Sequence, residues 1–558
     1  MSATSEPRAA TSRRAWPWWG VALLAFVLRA IVAHQYQSAH PNAELLAIDE
    51  RAYDAWARRI AAGDWLGREV FFQEPLYPYL LGLAYRVCGV EHLLVRLVQA
   101  LLGALLCVVA GKLAERWFGR AAGLGAALLL AAHAPLVLYP CFLLKEALFV
   151  PLLALSVLLL ARTRDERCGG GGAWLAIGLL GGCGALLRGN VLVLLPLLVL
   201  APVLRAWFQR SGASFGVRAS FRRAGACLAG VALALAPVLL RNHAVGGVWV
   251  LTTSQAGTNL YAGNNAENEY GRAYEVSFVR GVPEHEADDW RRVAERRAGR
   301  TLDAAEVSAY WRDATFDSVR SSPALHARIL WNKLRLTLGA YEVPDDHAFT
   351  WDVRYVPLLD APWPGFGLLG AFGLAGLAWH FVQRARGARP PGGADELALV
   401  FVLYLGTIVL TVTSDRARLP LVPLLAPFAA VFALELAASA RARAFARLLG
   451  LAGLLAACAA FVLVPVLPAS ERAEDEDERD FNLAALWALE PAQRTAAHEL
   501  AARIAQRHPG SARTRLLVAG IELADLRAQV RDPMPAARAA AVERLSALAG
   551  ELERLGED

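Results

Sequence analysis

Long apolar runs alternate with short polar connections along most of the chain, from Trp16 to the neighbourhood of Pro468. Each run is close to the roughly 20 residues that a helix needs to cross the hydrocarbon core of a bilayer. We therefore predict an all-α polytopic membrane protein with about eleven transmembrane helices, and ten or twelve remain open alternatives. The predicted spans lie near residues 16–34, 91–111, 121–139, 142–161, 173–188, 190–207, 224–241, 363–382, 397–413, 418–438 and 446–467.

Basic residues gather in alternate connections between these runs. The clusters are Arg13 with Arg14, 112–120, 162–167, 205–223, 384–389 and 441–447. Because positively charged connections stay in the cytoplasm, we expect a multi-pass protein of the inner (cytoplasmic) membrane with the N-terminus inside and the C-terminus outside. The tail 1–15 is then cytoplasmic, and the domain 16–468 carries two sizeable outer loops, 35–90 and 242–362.

Composition agrees with this class and excludes others. The chain has 558 residues, 56% of them hydrophobic and only 19% charged, which is too apolar for several ordinary soluble domains. The net charge of +6 could suggest nucleic acid, but orientation in the membrane explains the basic clusters, so no nucleic-acid partner is predicted. The seven cysteines form no CxxC pair, so neither a zinc site nor a disulfide framework is indicated.

After the last apolar run the chain changes character. An acidic stretch, 471–480, is followed by an Ala/Leu/Arg-rich region that breaks at 508–512. This pattern is similar to degenerate tetratricopeptide helices, but too few repeats are visible to predict a solenoid. We predict that residues 469–558 form a small extracytoplasmic helical region that packs against the protein or docks partners.

Two acidic residues, Asp49 and Glu50, follow the first predicted span on the outer side. Acidic residues are common in outer loops, and that explanation stays open. An aromatic-rich helix follows the pair, however, as in a cleft at the lipid surface, where a carboxylate could take a proton from an acceptor hydroxyl. Further along the same loop, residues 76–87 are too short to span a membrane, so we interpret them as an interfacial helix.

Charged residues recur at the outer ends of later spans. Lys145 and Glu146 open the fourth span, where they either neutralise each other or contribute to a site. Guanidinium groups at this level suit the phosphate of a membrane lipid, although snorkelling to head groups is the alternative. The outer arginines are Arg188, Arg241, Arg416 and Arg418.

The long outer loop begins with a stretch of glycines, amides and a tyrosine. Its candidate residues are Tyr261, Asn264 and Asn265, which could form a hydrogen-bonding wall for a sugar or simply build turns. The sequence contains no P-loop and no HExxH motif, so a nucleotide-driven pump is not expected. No cofactor is indicated.

Taken in order, these segments resemble bacterial membrane glycosyltransferases of the GT-C fold, particularly the protein-mannosyltransferase-like and aminoarabinose-transferase-like group. The resemblance covers roughly residues 15–440. It is carried by the acidic pair and by four further segments, 74–81, 143–149, 261–265 and 416–420.

The resemblance implies an inverting transfer of a sugar from a polyprenyl-phosphate donor to an extracytoplasmic acceptor, which could be a lipid, a glycan or a protein. Asp49 would match the catalytic acidic residue, with Glu50 beside it and Glu146 at the second acidic position. Lys145 and the outer arginines would hold the donor phosphate. The substrate-binding positions would be Glu74, Tyr77, Tyr261, Asn264 and Asn265.

One position departs from the family pattern. Aminoarabinose transferases carry a lysine that contacts the donor phosphate where this chain has Glu74. Asp49 and Glu50 also lack the DxD spacing of the metal-using oligosaccharyltransferases, so a divalent metal is possible but not indicated. A lipid-linked sugar flippase or transporter is the alternative function, and a non-catalytic membrane scaffold is the third.

Overall fold

The computed structural model describes residues 16–165, 168–208, 217–268, 270–272, 276–279, 283–387, 392–489, 493–508, 512–530 and 542–544. The predicted cytoplasmic tail 1–15, and positions 509–511 of the predicted break in the C-terminal region, lie outside these residues. The described residues divide into two compact units. The first contains 16–38, 48–345 and 356–466, and the second contains 39–47, 346–355 and the described residues from 467 onwards.

The described secondary structure is helical apart from one isolated bridge between Arg272 and Thr413. The first helices are α1 (Trp16–Ala39), α2 (Asn42–Leu45), α3 (Ile48–Ala61), α4 (Leu76–Cys88), α5 (His92–Phe118), α6 (Arg120–Ala132), α7 (Ala134–Leu138), α8 (Glu146–Arg162), α9 (Gly171–Leu187), α10 (Leu195–Phe208) and α11 (Val217–Gly246). The others are α12 (Ala256–Gly263), α13 (Pro283–Ala298), α14 (Ala304–Ser321), α15 (Pro323–Leu338), α16 (Phe349–Asp352), α17 (Phe366–Ala385), α18 (Gly392–Leu410), α19 (Asp415–Arg418), α20 (Leu421–Arg441), α21 (Phe445–Leu463), α22 (Ala469–Leu489), α23 (Arg494–Arg507) and α24 (Ala512–Val530).

The helices confirm an all-helical polytopic membrane protein, but the number of spans is lower than predicted. Within the described residues, eight helices are long and apolar enough to cross a membrane, or nine if the bent pair α6 and α7 is one span. Helices α8 and α9 also coincide with predicted spans. Each has only 17 residues, which is the lower end of the length that a crossing helix requires.

A buried arginine stabilises the bend between α6 and α7. The two helices meet at 66°, and Pro135 in the first turn of α7 has no N–H to continue the helical ladder. The carbonyl groups at the end of α6 therefore lack helical partners. Arg29 of α1 donates to the carbonyls of Leu130 at 3.1 Å and Ala131 at 3.5 Å. The charged residue that interrupts the first apolar run therefore supplies hydrogen bonds to the carbonyl groups at the break in another helix.

Polar residues of α5 hold the short 3-10 turn Tyr139–Cys141 and the residue that follows it, ahead of α8. Arg96 Nε donates to the carbonyl of Cys141 at 2.7 Å. Gln99 Nε2 donates to the carbonyls of Pro140 at 2.9 Å and Phe142 at 2.8 Å. Backbone groups buried among helices need such partners, and these bonds fix where the chain enters α8.

Helices α12 to α15 form the body of the long connection between α11 and α17. Their core is aromatic, with Trp311 packed 4.8 Å from Trp290 and 4.6 Å from Tyr261 between ring centroids. Asp303 caps α14, because its side chain accepts from the backbone N–H groups of Ala305 and Glu306. The side chain of Glu306 in turn accepts from the backbone N–H of Asp303, which completes a capping box. This connection is therefore a packed helical body.

The second unit has its own core. Helices α22, α23 and α24 pack around apolar side chains that include Leu483, Leu500 and Ile504. Trp351 joins this core and donates from Nε1 to Asp480 Oδ1 at 2.9 Å. The ring of His40 bonds to the buried carboxylate of Asp352 at 3.0 Å, so two short segments distant in sequence are part of the same unit.

Glycines allow α9 and α11 to approach closely. A Cβ atom added at Gly178 would lie 1.9 Å from the carbonyl oxygen of Cys227, and one added at Gly230 would lie 2.1 Å from that of Leu175. Gly178 and Gly182 also have the four-residue spacing that brings membrane helices into contact. The close packing of this helix pair therefore depends on the absence of side chains.

We predict that Gly178→Ala destabilises the protein by about 1–3 kcal/mol, because the methyl group has no space against the neighbouring backbone. The measurement is thermal unfolding of the detergent-solubilised protein. Gly225→Ala in α11 is the matched control, since no described heavy atom lies within 4 Å of the added carbon. We expect it to keep or raise the melting temperature, and equal effects of the two substitutions would contradict the packing explanation.

Candidate active site

Four connections of the first unit meet at one end of its helix bundle. They follow α1, α7, α9 and α18, and alternate connections of antiparallel helices share an end of a bundle. Polar contacts join all four. The contacts are Asp49 with Arg416, Glu50 with the backbone of Leu143, and Glu74 with both Lys145 and the backbone of Gly189.

Asp49 lies in the first turn of α3, where the helix dipole favours a negative charge. Its side chain accepts from Arg416 at 2.7 Å and from Gln73 Nε2 at 3.0 Å, and the residue is only 6% exposed. Ile48, directly before it, has φ of 23°, a strained conformation for a β-branched residue. The carboxylate is thus held in one orientation by a fixed turn and two side chains.

Arg416 bridges two carboxylates. A terminal nitrogen bonds to Asp49, and Nε lies 2.9 Å from Asp345, which follows α15. The guanidinium is therefore shared between the first connection and the long connection. Among the described residues no group of three His, Cys, Asp or Glu side chains could hold a metal ion.

Glu50 makes a different contact from its neighbour. It is fully buried, and its Oε1 accepts from the backbone N–H of Leu143 at 2.7 Å. Consecutive residues of a helix point about 100° apart, so the two acidic side chains reach different segments. Asp49 contacts Arg416 and Gln73, whereas Glu50 holds the turn that leads to Lys145.

Glu74 and Lys145 form a buried ion pair. Burial alone would raise the pKa of Glu74, but the ammonium group of Lys145 outweighs it and lowers the pKa. The N–H of Gly189 donates to the other carboxylate oxygen at 3.0 Å. A lysine ammonium is therefore present at Glu74, and it comes from another connection of the chain.

Glu146 and Arg188 form a second buried pair. Glu146 is the first residue of α8, is 1% exposed, and accepts through Oε1 from Arg188. Tyr53 lies close to both pairs. Burial first, and then the carboxylates of Asp49 and Glu74, raise the pKa of the Tyr53 hydroxyl well above its usual range, with a smaller contribution from Glu146.

Two of the candidate arginines, Arg241 and Arg418, contact other parts of the first unit. Arg418 is 2% exposed, binds Glu342, donates to the carbonyl of Gly339 at 2.5 Å and lies over the ring of Phe366. Arg241 donates to the backbone carbonyls of the loop between α3 and α4, at Leu66 and Glu69. Both arginines donate to backbone carbonyl groups of a connection.

The four uncharged candidates also make mainly structural contacts. Tyr77 donates to Gln99 at 2.9 Å, and Tyr261 belongs to the aromatic core of the long connection. Asn264 Nδ2 donates to the carbonyl of Leu410 at 2.9 Å, and Asn265 Nδ2 donates to that of Tyr261 at 3.1 Å. The predicted sugar-binding amides thus stabilise their own turn and its junction with α18.

Two residues at Asp49 were given no role from the sequence. Gln73 stands beside Glu74, and its position in the Gln73-Glu74-Pro75 run is the only local signal for it. Asp345 lies in the acidic stretch after α15, and the sequence does not distinguish it from the other carboxylates there. Only the folded chain shows that both contact the Asp49 and Arg416 pair.

Asp415 carries a perturbed carboxyl group next to Arg416. Burial, followed by the nearby charge of Glu342, raises its pKa to about 8, although a hydrogen bond from Tyr139 at 2.8 Å acts in the opposite direction. The folded state therefore holds a proton on Asp415 at neutral pH.

Comparison with known protein families finds a match for one segment of the chain. Residues 73–239 match the family described as dolichyl-phosphate-mannose-protein mannosyltransferase. This match confirms, for that segment, the resemblance to membrane glycosyltransferases that the sequence motifs indicated. No curated protein matches the chain.

Two groups of solved structures show remote similarity. The oligosaccharyltransferase of Archaeoglobus fulgidus in the apo form is 14% identical over 90% of this chain, with a TM-score of 0.46. The chain spans 61% of that protein's length. ArnT from Cupriavidus metallidurans bound to undecaprenyl phosphate is 17% identical over 78% of this chain and 80% of its own, with a TM-score of 0.33.

We predict that Lys145→Met destabilises the protein by about 3–5 kcal/mol, because it leaves the charge of Glu74 buried without a cation. The double variant Lys145→Met with Glu74→Gln should recover most of this loss, since it removes both charges. Thermal unfolding in one detergent compares the three proteins. If the double variant is less stable than Lys145→Met, the two side chains are not paired as described.

We also predict a pH effect from Asp415. Its folded-state pKa of about 8 lies above the usual aspartate value of 3.8, so the unfolded state releases this proton at lower pH and stability falls as pH rises between the two values. Asp415→Asn lacks this titration. The stability of the variant relative to the parent should therefore increase by ~1.4 kcal/mol per pH unit from about pH 5 to 7, and melting temperatures that change in parallel would contradict the assignment.

Proposed function

We propose that the protein is a membrane glycosyltransferase that moves a sugar from a polyprenyl-phosphate donor to an acceptor hydroxyl with inversion. The observation that carries the proposal is the buried Asp49 carboxylate, oriented by Arg416 and Gln73 at the end of the bundle where several apolar helices end. The family match of residues 73–239 supports the same class of reaction.

Asp49 acts as the general base in this proposal. Its carboxylate is paired with Arg416, and a carboxylate oxygen can accept the proton of an acceptor hydroxyl. The acceptor oxygen then forms a bond to the anomeric carbon while the bond from that carbon to the phosphate oxygen breaks. A single displacement of this kind inverts the anomeric configuration.

Arg416, Lys145 and Arg188 are the cations that we assign to the donor phosphate. Each is paired with a carboxylate of the site, so their charges are already fixed in position. The negative charge on the phosphate grows as the glycosidic bond breaks, and preorganised cations stabilise it. We assign Arg241 and Arg418 to the structure of the connections, because their contacts are carbonyl groups and Glu342.

The orientation proposed from the basic clusters places this site outside the cytoplasm. Ion pairs at the opposite end of the bundle support the inference that several of the basic clusters lie together at that end. They are Arg116 with Asp165, Arg164 and Arg205 with Glu396, and Arg384 with Asp395. With that end in the cytoplasm, the donor lipid reaches Asp49 from the outer leaflet.

We predict that Asp49→Asn lowers transfer at least about 100-fold, because an amide cannot accept the acceptor's proton. The assay measures sugar transfer by the purified full chain with undecaprenyl-phosphate mannose as donor and acceptors extracted from the native envelope. Asp317→Asn is the control, since this carboxylate of α14 is exposed and pairs only locally with Arg320. Turnover at the parental rate in Asp49→Asn would remove Asp49 from the mechanism.

A further inference from the structure

A second group of polar atoms lies beside the Glu74 and Lys145 pair. Each of its four members has a side-chain nitrogen or oxygen that is buried and has no hydrogen-bond partner among the residues that the structure describes. The atoms are Glu146 Oε2, Arg188 Nε, Asn190 Oδ1 and the hydroxyl oxygen of Tyr404. Glu146 is 1% exposed, and Tyr404 is fully buried.

The four residues form one cluster, which we call the polar cluster. Arg188 bonds to the other carboxylate oxygen of Glu146. Asn190 follows two residues later, and its Nδ2 donates to Thr407 at 3.0 Å, one helical turn from Tyr404 on α18. The Tyr404 hydroxyl is within electrostatic range of Arg188 and Glu146, and the Asn190 side chain lies close enough to hydrogen-bond to it after a small adjustment.

Such a concentration of unsatisfied atoms is unusual in a folded protein. More than nine-tenths of buried polar groups have a hydrogen-bond partner, and each exception destabilises the protein. Gln99 and Glu50 at this end of the bundle are bonded to backbone groups, whereas the buried hydroxyl of Tyr53 is a further atom without a partner among the described residues. The polar cluster is therefore organised to bind something other than its own chain.

The chemistry of the cluster identifies the ligand class. It offers a carboxylate oxygen and an amide oxygen as acceptors, a guanidinium N–H as donor, and a tyrosine hydroxyl that serves as either. Groups of both kinds on one surface complement vicinal hydroxyl groups, each of which donates one hydrogen bond and accepts others. We propose that the polar cluster binds the hydroxyl groups of the donor's sugar, an inference that rests on the proposed function.

The charge of the cluster restricts that sugar further. Arg188 already compensates the carboxylate of Glu146, and its Nε is buried without a partner among the described residues. An ammonium group bound there would lie next to a guanidinium, where like charges repel. The sugar is accordingly a neutral hexose or pentose and not an amino sugar.

The test compares two probes on the purified full chain, bare undecaprenyl phosphate and undecaprenyl-phosphate mannose. Tyr404→Phe removes one hydroxyl and keeps the ring, so affinity for the sugar-bearing lipid should fall roughly five- to tenfold. Affinity for the bare lipid phosphate should change less than about twofold. Tyr310→Phe is the matched control, because this ring packs on Trp311 in the long connection, and it should change neither affinity.

Two results would overturn the proposal. Equal weakening of both probes by Tyr404→Phe would show a structural effect, and unchanged affinity for both would show that the hydroxyl does not meet the sugar. The charge argument is tested with undecaprenyl-phosphate arabinose and its 4-amino-4-deoxy form. Binding of the amino form at least tenfold weaker is expected, and equal or tighter binding would contradict a neutral sugar.

These outcomes are separate from the test of the reaction itself. If Asp49→Asn retains turnover while Tyr404→Phe still separates the two probes, the assignment of the base fails and the polar cluster stands. If Asp49→Asn abolishes transfer and Tyr404→Phe affects both probes alike, the reaction stands and the polar cluster is structural.

Discussion

The ion pair between Asp49 and Arg416 joins two residues that are 367 positions apart in the chain. Both are largely buried, and a buried charge without a partner destabilises a protein by several kcal/mol. The first connection and the connection after α18 must therefore meet for either residue to be accommodated. Asp345 adds a third segment to the same guanidinium, so one arginine fixes the mutual arrangement of three connections.

The same requirement recurs at the neighbouring pairs. Glu74 needs Lys145 and the N–H of Gly189, and Glu146 needs Arg188. Each pair joins segments from different helices, and together they hold the end of the bundle as a charged, largely buried surface. In the proposed reaction these pairs have a second role, because a phosphate that enters can exchange partners with carboxylates that already hold the cations in place.

Satisfaction of backbone groups shapes the rest of the bundle. The bend at His133 and the short 3-10 turn before α8 leave carbonyl groups without α-helical partners, and Arg29 and Gln99 donate to them from other helices. In an apolar environment such carbonyls have no water to bond with. Polar residues within apolar runs therefore mark the positions where a neighbouring helix breaks, and these breaks are what bring Lys145 and Glu146 to the site.

The amino-acid sequence by itself determined the class of protein, the places of the apolar helices and the acidic pair, because hydropathy and charge are local properties that a single run of residues carries. It also marked Lys145, Glu146 and Arg416 as costly charges in need of partners. Only the tertiary structure decided the pairing: Asp49 contacts Arg416, whereas Glu50 contacts the backbone of Leu143. The reason is physical, since a pairing of buried charges depends on which helix ends meet in space, and that is set by the packing of the whole bundle.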